Sequence, residues 1–422
     1  MLKINTLLFL FILTLINSYG IEPYFTHITS PDFKTLQVYN SDNILSYPAI
    51  ALNGGDQIII SFDELSDSEQ SLKYHITHCN SDWLPSDLTD TEVITGFKTS
   101  FIDDYEYSIN TNVPYVHYKL KIPNDYTSLK VSGNYVVTVT GSNSKEPVLT
   151  ACFYVYENTV NIVPEVAFVT ETDIRKENQQ INFVVSHPEL PIQDPATEMK
   201  IFIQQNDRRD NIKSGIQPTF IKPNQLVYEH NADLVFKGGN EFRYFEATST
   251  RYNTHGIQSI QYYAPYYHMV LIPDEPQSKI SYSYRHDVNG KFFVRRQEAD
   301  QDNLALESDY VIVHFTIRRD DPYFNGKIFL NGDFTYGEFS DPYEMKYDFD
   351  EKAYNTNILL KQGRYDYQYL FLPTGEKIAS YSPYENNFFE TENDYRIYAY
   401  YRSFSDRYDR LVGYTLVTAN AK

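Results

Sequence analysis

The chain is poor in sulfur, in positive charge and in long apolar runs. Its 422 residues include two cysteines, four methionines and one tryptophan, Trp83. Two cysteines, Cys79 and Cys152, are too few for a disulfide framework. An oxidising compartment permits one bridge between them, and their separation is open at the level of sequence. Lys and Arg total 36 against 56 Asp and Glu, a net charge of −20. A chain this acidic repels nucleic acid and anionic membrane surfaces. No G-x-S-x-G elbow, H-E-x-x-H pair or Walker loop occurs. Carboxylates are plentiful, but no pair is singled out for glycoside chemistry.

The one strongly apolar stretch is N-terminal. Lys3 precedes an apolar run from Leu7 to Ile16, and Ser18-Tyr19-Gly20 follows with small residues at the peptidase positions. This pattern predicts a cleaved secretory signal over residues 1–20. The run is shorter than the ~20 residues of a membrane span. No cysteine follows the expected cleavage site, so no lipid anchor is expected there.

What is abundant is aromatic. The 39 Tyr and 27 Phe, with frequent Val, Ile and Thr, suit pleated, half-buried surfaces. Short alternating runs between Gly, Pro and Asn turns predict an all-β chain of tandem β-sandwich, immunoglobulin-like or early-set-like domains. Three blocks are expected, at 21–158, 159–306 and 307–422. In the first, strands are expected near Gln57–Phe62, Lys73–Cys79, Val116–Ile122, Tyr135–Thr140 and Ala151–Tyr156. In the second they are expected near Gln180–Val185, Met199–Gln205, Gln225–His230, Glu241–Thr248 and Ile257–Tyr263. In the third they are expected near Val311–Ile317, Gly326–Asn331, Asn355–Lys361 and Arg364–Leu372. Asn289-Gly290 between alternating runs predicts a hairpin over 281–296.

Three local patterns invite a chemical reading. His75-x-x-His78-Cys79 holds metal-ligand residue types, but on a strand His78 points away from His75 and Cys79, which favours packing. Asp287-Val-Asn-Gly290 lacks the spacing and final Glu of a calcium loop, so it reads as a turn. Tyr262–Tyr267 and Tyr395-Arg396-Ile-Tyr398-Ala-Tyr400-Tyr401-Arg402 are rich in the residue types that anchor protein interfaces. The second stretch is the candidate partner interface, with cross-strand aromatic packing as the alternative.

Six phrases in order carry a resemblance. They are Ser61-Phe-Asp-Glu-Leu65, His78-Cys-Asn-Ser-Asp-Trp83, Ser132-Gly-Asn-Tyr135, Gly238-Gly-Asn-Glu-Phe-Arg243, Leu360-Lys-Gln-Gly-Arg-Tyr-Asp-Tyr367 and Arg407-Tyr-Asp-Arg-Leu-Val-Gly413. Together they resemble the Plug protein family of the Bacteroidetes type IX secretion system, over nearly the whole chain. The resemblance implies a non-enzymatic periplasmic protein without cofactor. It implies binding to the periplasmic end of the large outer-membrane translocon barrel, and closure of that pore when the barrel is not engaged with its shuttle protein. It implies no membrane insertion of the plug itself and no small-molecule substrate.

The alternative is a secreted carbohydrate-binding sandwich, because the third block also resembles glycogen-binding modules. Such modules stack sugars on tryptophan. The corresponding loop here is Phe334-Thr-Tyr-Gly-Glu-Phe339. An outer-membrane barrel is disfavoured by the non-aromatic C-terminus, and a secreted glycosidase by the lack of a selected carboxylate pair.

Overall fold

Strands form where short runs alternate, and turns where the chain needs positive φ or loses its apolar period. A computed structural model describes residues 22–420 except 143, 169–175, 279, 301 and 302. The signal segment expected at 1–20 lies outside the described residues.

The first unit holds β1 (His27–Ile28), β2 (Phe33–Asn40), β3 (Ala49–Ala51), β4 (Ile58–Glu64), β5 (Leu72–Cys79), β6 (Ile94–Gly96), β7 (Thr99–Phe101), β8 (Tyr105–Tyr107), β9 (Val116–Ile122), β10 (Thr127–Leu129), β11 (Gly133–Gly141) and β12 (Pro147–Tyr156). One sheet runs β1-β12-β11-β5-β7, with β3 alongside β12, and the other β2-β4-β9-β8. Tyr74, Ile76, Tyr135 and Val137 of the first meet Ile58, Ile60, Tyr118 and Leu120 of the second in a shared core. Each such aliphatic side chain contributes ~1.5–3 kcal/mol by leaving water. β5 alternates buried and half-exposed positions, as a one-sided strand should. Every residue of β4 is buried, because another part of the chain covers its outer face.

The second unit begins with β13 (Asn161–Ala167), β14 (Asn178–Ser186), β15 (Met199–Gln205), β16 (Lys213–Ser214), β17 (Phe220–Lys222), β18 (Gln225–Tyr228) and β19 (Val235–Lys237). The third holds β20 (Arg243–Glu246), β21 (Ile257–Tyr263), β22 (Tyr266–Leu271), β23 (Phe292–Val294), β24 (Tyr310–Arg318), β25 (Gly326–Asn331), β26 (Glu344–Asp348), β27 (Ala353–Lys361) and β28 (Gly363–Pro373). The chain then returns to the second unit with β29 (Asp394–Tyr401) and β30 (Arg410–Thr418), giving a sheet β16-β15-β29-β30. That sheet packs its core against β13-β14-β18-β17.

The division expected near 306/307 therefore cuts through one sheet. β20 to β23, from the expected middle block, join β24 to β28 in a single nine-stranded sheet, ordered β20-β28-β25-β26-β27-β24-β22-β21 with β23 on β28. This sheet nearly closes into a barrel. At the seam, Glu246 N donates to His255 O at 2.9 Å, and the Tyr244 and His255 rings stack at 4.3 Å. Strand pairing decides units in space, and it is not bound by order in sequence.

The hairpin expected over 281–296 does not form. Asn289 and Gly290 do turn the chain, with φ of 54° and 85°. Only the second arm becomes a strand, and it pairs with β28. Residues 281–288 instead form a strap held by carboxylates. Val288 N donates to Asp366 Oδ2, Phe242 N to Asp287 Oδ2 at 2.5 Å, and Tyr282 OH to Glu241 Oε1 at 2.5 Å. Burial pushes the carboxyls up, Glu241 to about 7, Asp287 to about 6 and Asp366 to about 7.

The folded chain thus holds these protons more tightly than the unfolded chain. The stability these three groups contribute is complete below the ordinary carboxyl range and is lost as pH rises through about 6 to 7. Glu241→Gln removes the ionisation and keeps the shape. Its melting midpoint, relative to the parent, should rise more at pH 8 than at pH 5. An equal change at both would show that Glu241 ionises at its ordinary value.

Candidate partner-binding surface

The Tyr395–Arg402 stretch is an interface, but an internal one. β29 lies between β15 and β30, so both its edges are paired. Tyr395, Ile397, Ala399 and Tyr401 face the core of the second unit. On the other face, Tyr398 stacks on Tyr154 at 4.3 Å, and Tyr400 OH donates to Asn134 Oδ1 at 2.6 Å, both in the first unit. Tyr395, Arg396, Tyr398, Tyr400 and Tyr401 are buried, and half-buried Arg402 sits 3.7 Å from Asp409. The expectation that these residues face a separate partner is corrected: the first unit already occupies that face. Of Tyr262–Tyr267, Tyr262 and Tyr263 are exposed at a hairpin tip, with Tyr262 packed across the strands on Tyr267 at 4.8 Å.

Three polar junctions brace the units. Tyr47 of the first unit lies between Lys291 of the third, 3.4 Å from its ring centroid, and Arg396 of the second, at 3.9 Å. Its hydroxyl donates to Asp394 Oδ2 at 2.9 Å. Burial would raise the Asp207 carboxyl, but Arg396 beside it holds it below the usual range. Burial, and then the Asp207 charge, push Asp333 well above it. Arg396 thus favours the charged form of Asp207, and the Asp207 charge disfavours that of Asp333.

At the second junction, Asp63 of β4 is fully buried against the third unit. It accepts from Lys361 Nζ and Tyr310 OH, each at 2.6 Å, and pairs with His117 Nδ1 at 2.6 Å. Burial raises the carboxyl, but Lys361 and His117 outweigh it and hold Asp63 below its ordinary value. At the third, Asp409 of the second unit accepts from Ser81 Oγ at 2.7 Å and Lys200 Nζ at 2.9 Å, and Arg410 pairs with Glu157 at 2.6 Å.

Cys79 and Cys152 are free and buried, so the bridge left open by sequence is not made. They sit on β5 and β12, on either side of β11, opposite Asn134 and Val136. Two strand spacings put them about 10 Å apart, beyond disulfide reach. Burial pushes the Cys79 thiol up to about 12 and raises Cys152 as well. His78 is bonded on both ring nitrogens, to Ser86 Oγ at 2.7 Å and Ser132 O at 3.1 Å, and His75 to Thr99 Oγ1 at 2.8 Å. The loop proposed for sugar stacking is turned inward: Phe334 joins the barrel core, and Phe339 packs on Phe329 at 5.2 Å. Trp83 packs edge-on against Tyr154 at 5.1 Å.

One exposed aromatic surface has no counterpart among the sequence expectations. β7 and β8 end the two sheets of the first unit, and each has only one paired neighbour. Along this margin Phe97, Phe101, Tyr105, Tyr107 and Tyr126 are all exposed, Phe97 at 65% and Tyr126 at 58%. Phe97 N donates to Tyr126 O at 3.0 Å, Lys73 Nζ lies 5.0 Å over Phe101, and the Tyr105 and Tyr107 rings are 6.1 Å apart. The signal was available: aromatics recur from 97 to 107 among Asp103, Asp104 and Glu106. Strands of three residues are too short to show a period.

Residues 33–157 match the first domain of the type 9 secretion system plug protein. A crystal structure at 2.30 Å of a hypothetical protein from Parabacteroides merdae ATCC 43184 is 40% identical, with 94% of this chain and 99% of that chain aligned at a TM-score of 0.92. The chain belongs to the type 9 secretion system plug protein family. No curated protein matches it. Membership makes the plug protein a non-enzymatic component of protein secretion, associated with the type 9 translocon.

Two measurements check the interior of this plug protein. Lys361→Met leaves buried Asp63 with only His117 and Tyr310 as partners, and should cost up to ~3–5 kcal/mol in urea denaturation. A loss below about 1 kcal/mol would show that the pair is not the brace described. A thiol-exchange reagent should label neither cysteine of the native protein and both after denaturation. No label after denaturation would mean that the two are bridged.

Proposed function

We propose that the protein is a periplasmic plug that binds the periplasmic end of the giant outer-membrane barrel of the type 9 system. It closes the pore when the barrel is not engaged with its shuttle protein. The observation that carries this reading is the cross-bracing of three β units by buried charge, which makes one rigid body of domain size. A pore wide enough for folded cargo cannot be closed by a flexible strand. The mechanism is steric occlusion. The exposed aromatic margin of the first unit is the contact surface this reading favours. Its residue types supply interface hot spots, and a stable contact needs roughly 1,600 Å² in total.

A C-terminal tag, gentle solubilisation of the outer membrane and mass spectrometry test the reading. A very large barrel protein should co-purify, mainly from cells lacking the shuttle. A solitary soluble protein under every condition would overturn it. The triple variant Phe97→Ser, Phe101→Ser, Tyr126→Ser changes only exposed side chains. It should keep its melting midpoint and recover roughly tenfold less barrel. Undiminished recovery would exclude this margin as the contact.

A further inference from the structure

Where the three units meet, they enclose a cavity of about 320 Å³ beside Tyr47. That size lies in the range of small-ligand sites. Leu36, Val38, Ile44, Trp83, Tyr154 and Phe292 form much of its wall. Asp207, Asp333 and Arg396 line it too. Arg396 pairs with Asp207 there.

Arg209, an exposed residue, also lines the cavity. Its guanidinium lies 3.8 Å over the Phe25 ring, and Nη1 donates a long hydrogen bond of 3.4 Å to Tyr336 O. Among the described residues, no carboxylate lies within ion-pairing distance of it. Its side chain reaches solvent as well as the cavity. Among the described residues Nε and Nη2 make no hydrogen bond, and together they form the two-pronged donor that fits a carboxylate.

We propose that this cavity binds a small single-chain carboxylic acid, with its carboxylate on Arg209 and its apolar tail among Val38, Ile44, Trp83 and Phe292. The site is independent of the plug reading, because it is complete within one chain. A ligand there would touch all three units at once and tighten their junction.

Trp83 is the chain's single tryptophan, so its emission reports on this cavity directly. Laurate, titrated into the purified full chain below its micelle concentration, should change that emission saturably. Lauryl alcohol should bind at least roughly tenfold more weakly, because it lacks the charge that Arg209 pairs. Arg209→Gln should weaken laurate by a similar factor without changing the melting midpoint. Arg209→Lys, which keeps the charge and loses the fork, should fall between the two. Calorimetry on Trp83→Phe should still detect laurate. No saturable response to laurate, equal affinity for the alcohol, or undiminished binding by Arg209→Gln would overturn the assignment. Tighter binding of a short apolar peptide through its C-terminus would overturn the small-molecule class.

Discussion

Tyr47 is held against cations that belong to the other two units. Lys291 and Arg396 approach its ring at 3.4 and 3.9 Å, a contact worth up to about 2 kcal/mol each when water is excluded. The cations could not be there unpaired, since burying a lone ammonium or guanidinium costs far more than a ring returns. Asp207 and Asp394 make the arrangement tolerable: one pairs with Arg396, the other accepts from the tyrosine hydroxyl. Each of the three units therefore supplies a part that would be destabilising without the others. This is why the chain can run from the second unit through the third and back without the units drifting apart.

The same logic explains why the junctions are polar. An apolar interface slides, because burial is nearly indifferent to register. A buried ion pair such as Asp63–Lys361 has one acceptable geometry, and displacement by an ångström or two leaves a charge unpaired. The gain in net stability from such a pair is small, but the penalty for losing it is large. Polar junctions thus convert three stable units into one body with a defined shape.

Strand positions were legible wherever alternation was clean: Val116–Ile122, Met199–Gln205, Ile257–Tyr263 and Gly326–Asn331 appear with the expected ends. Phe33–Asn40 was hidden because a register shift between Lys34 and Gln37, with Thr35 at φ 55°, breaks its period. The 281–296 hairpin failed although its turn residues behave as expected: the second arm pairs with β28, and Val288 N of the first arm donates to Asp366 rather than to a ladder partner. The Tyr/Arg stretch was read as a candidate partner interface, and it packs against the first unit instead. Composition cannot say whether the other side of a contact is a different protein or an earlier part of the same chain.

That ambiguity has a consequence for how a plug would work. In a body braced at three separated points, with Asp63–Lys361, Tyr47 and Asp409–Ser81 each joining a different set of units, no hinge is left that spares every buried charge. Opening between the first and third units would expose Asp63 and Lys361. Opening between the first and second would strip Asp409 of Ser81 and unstack Tyr398 from Tyr154. Release from a pore by internal folding would have to pay for all of these together. Release as a whole costs only the external contact, which is the one surface that can be made weak enough to reverse. A rigid interior and a detachable margin are therefore two sides of one requirement.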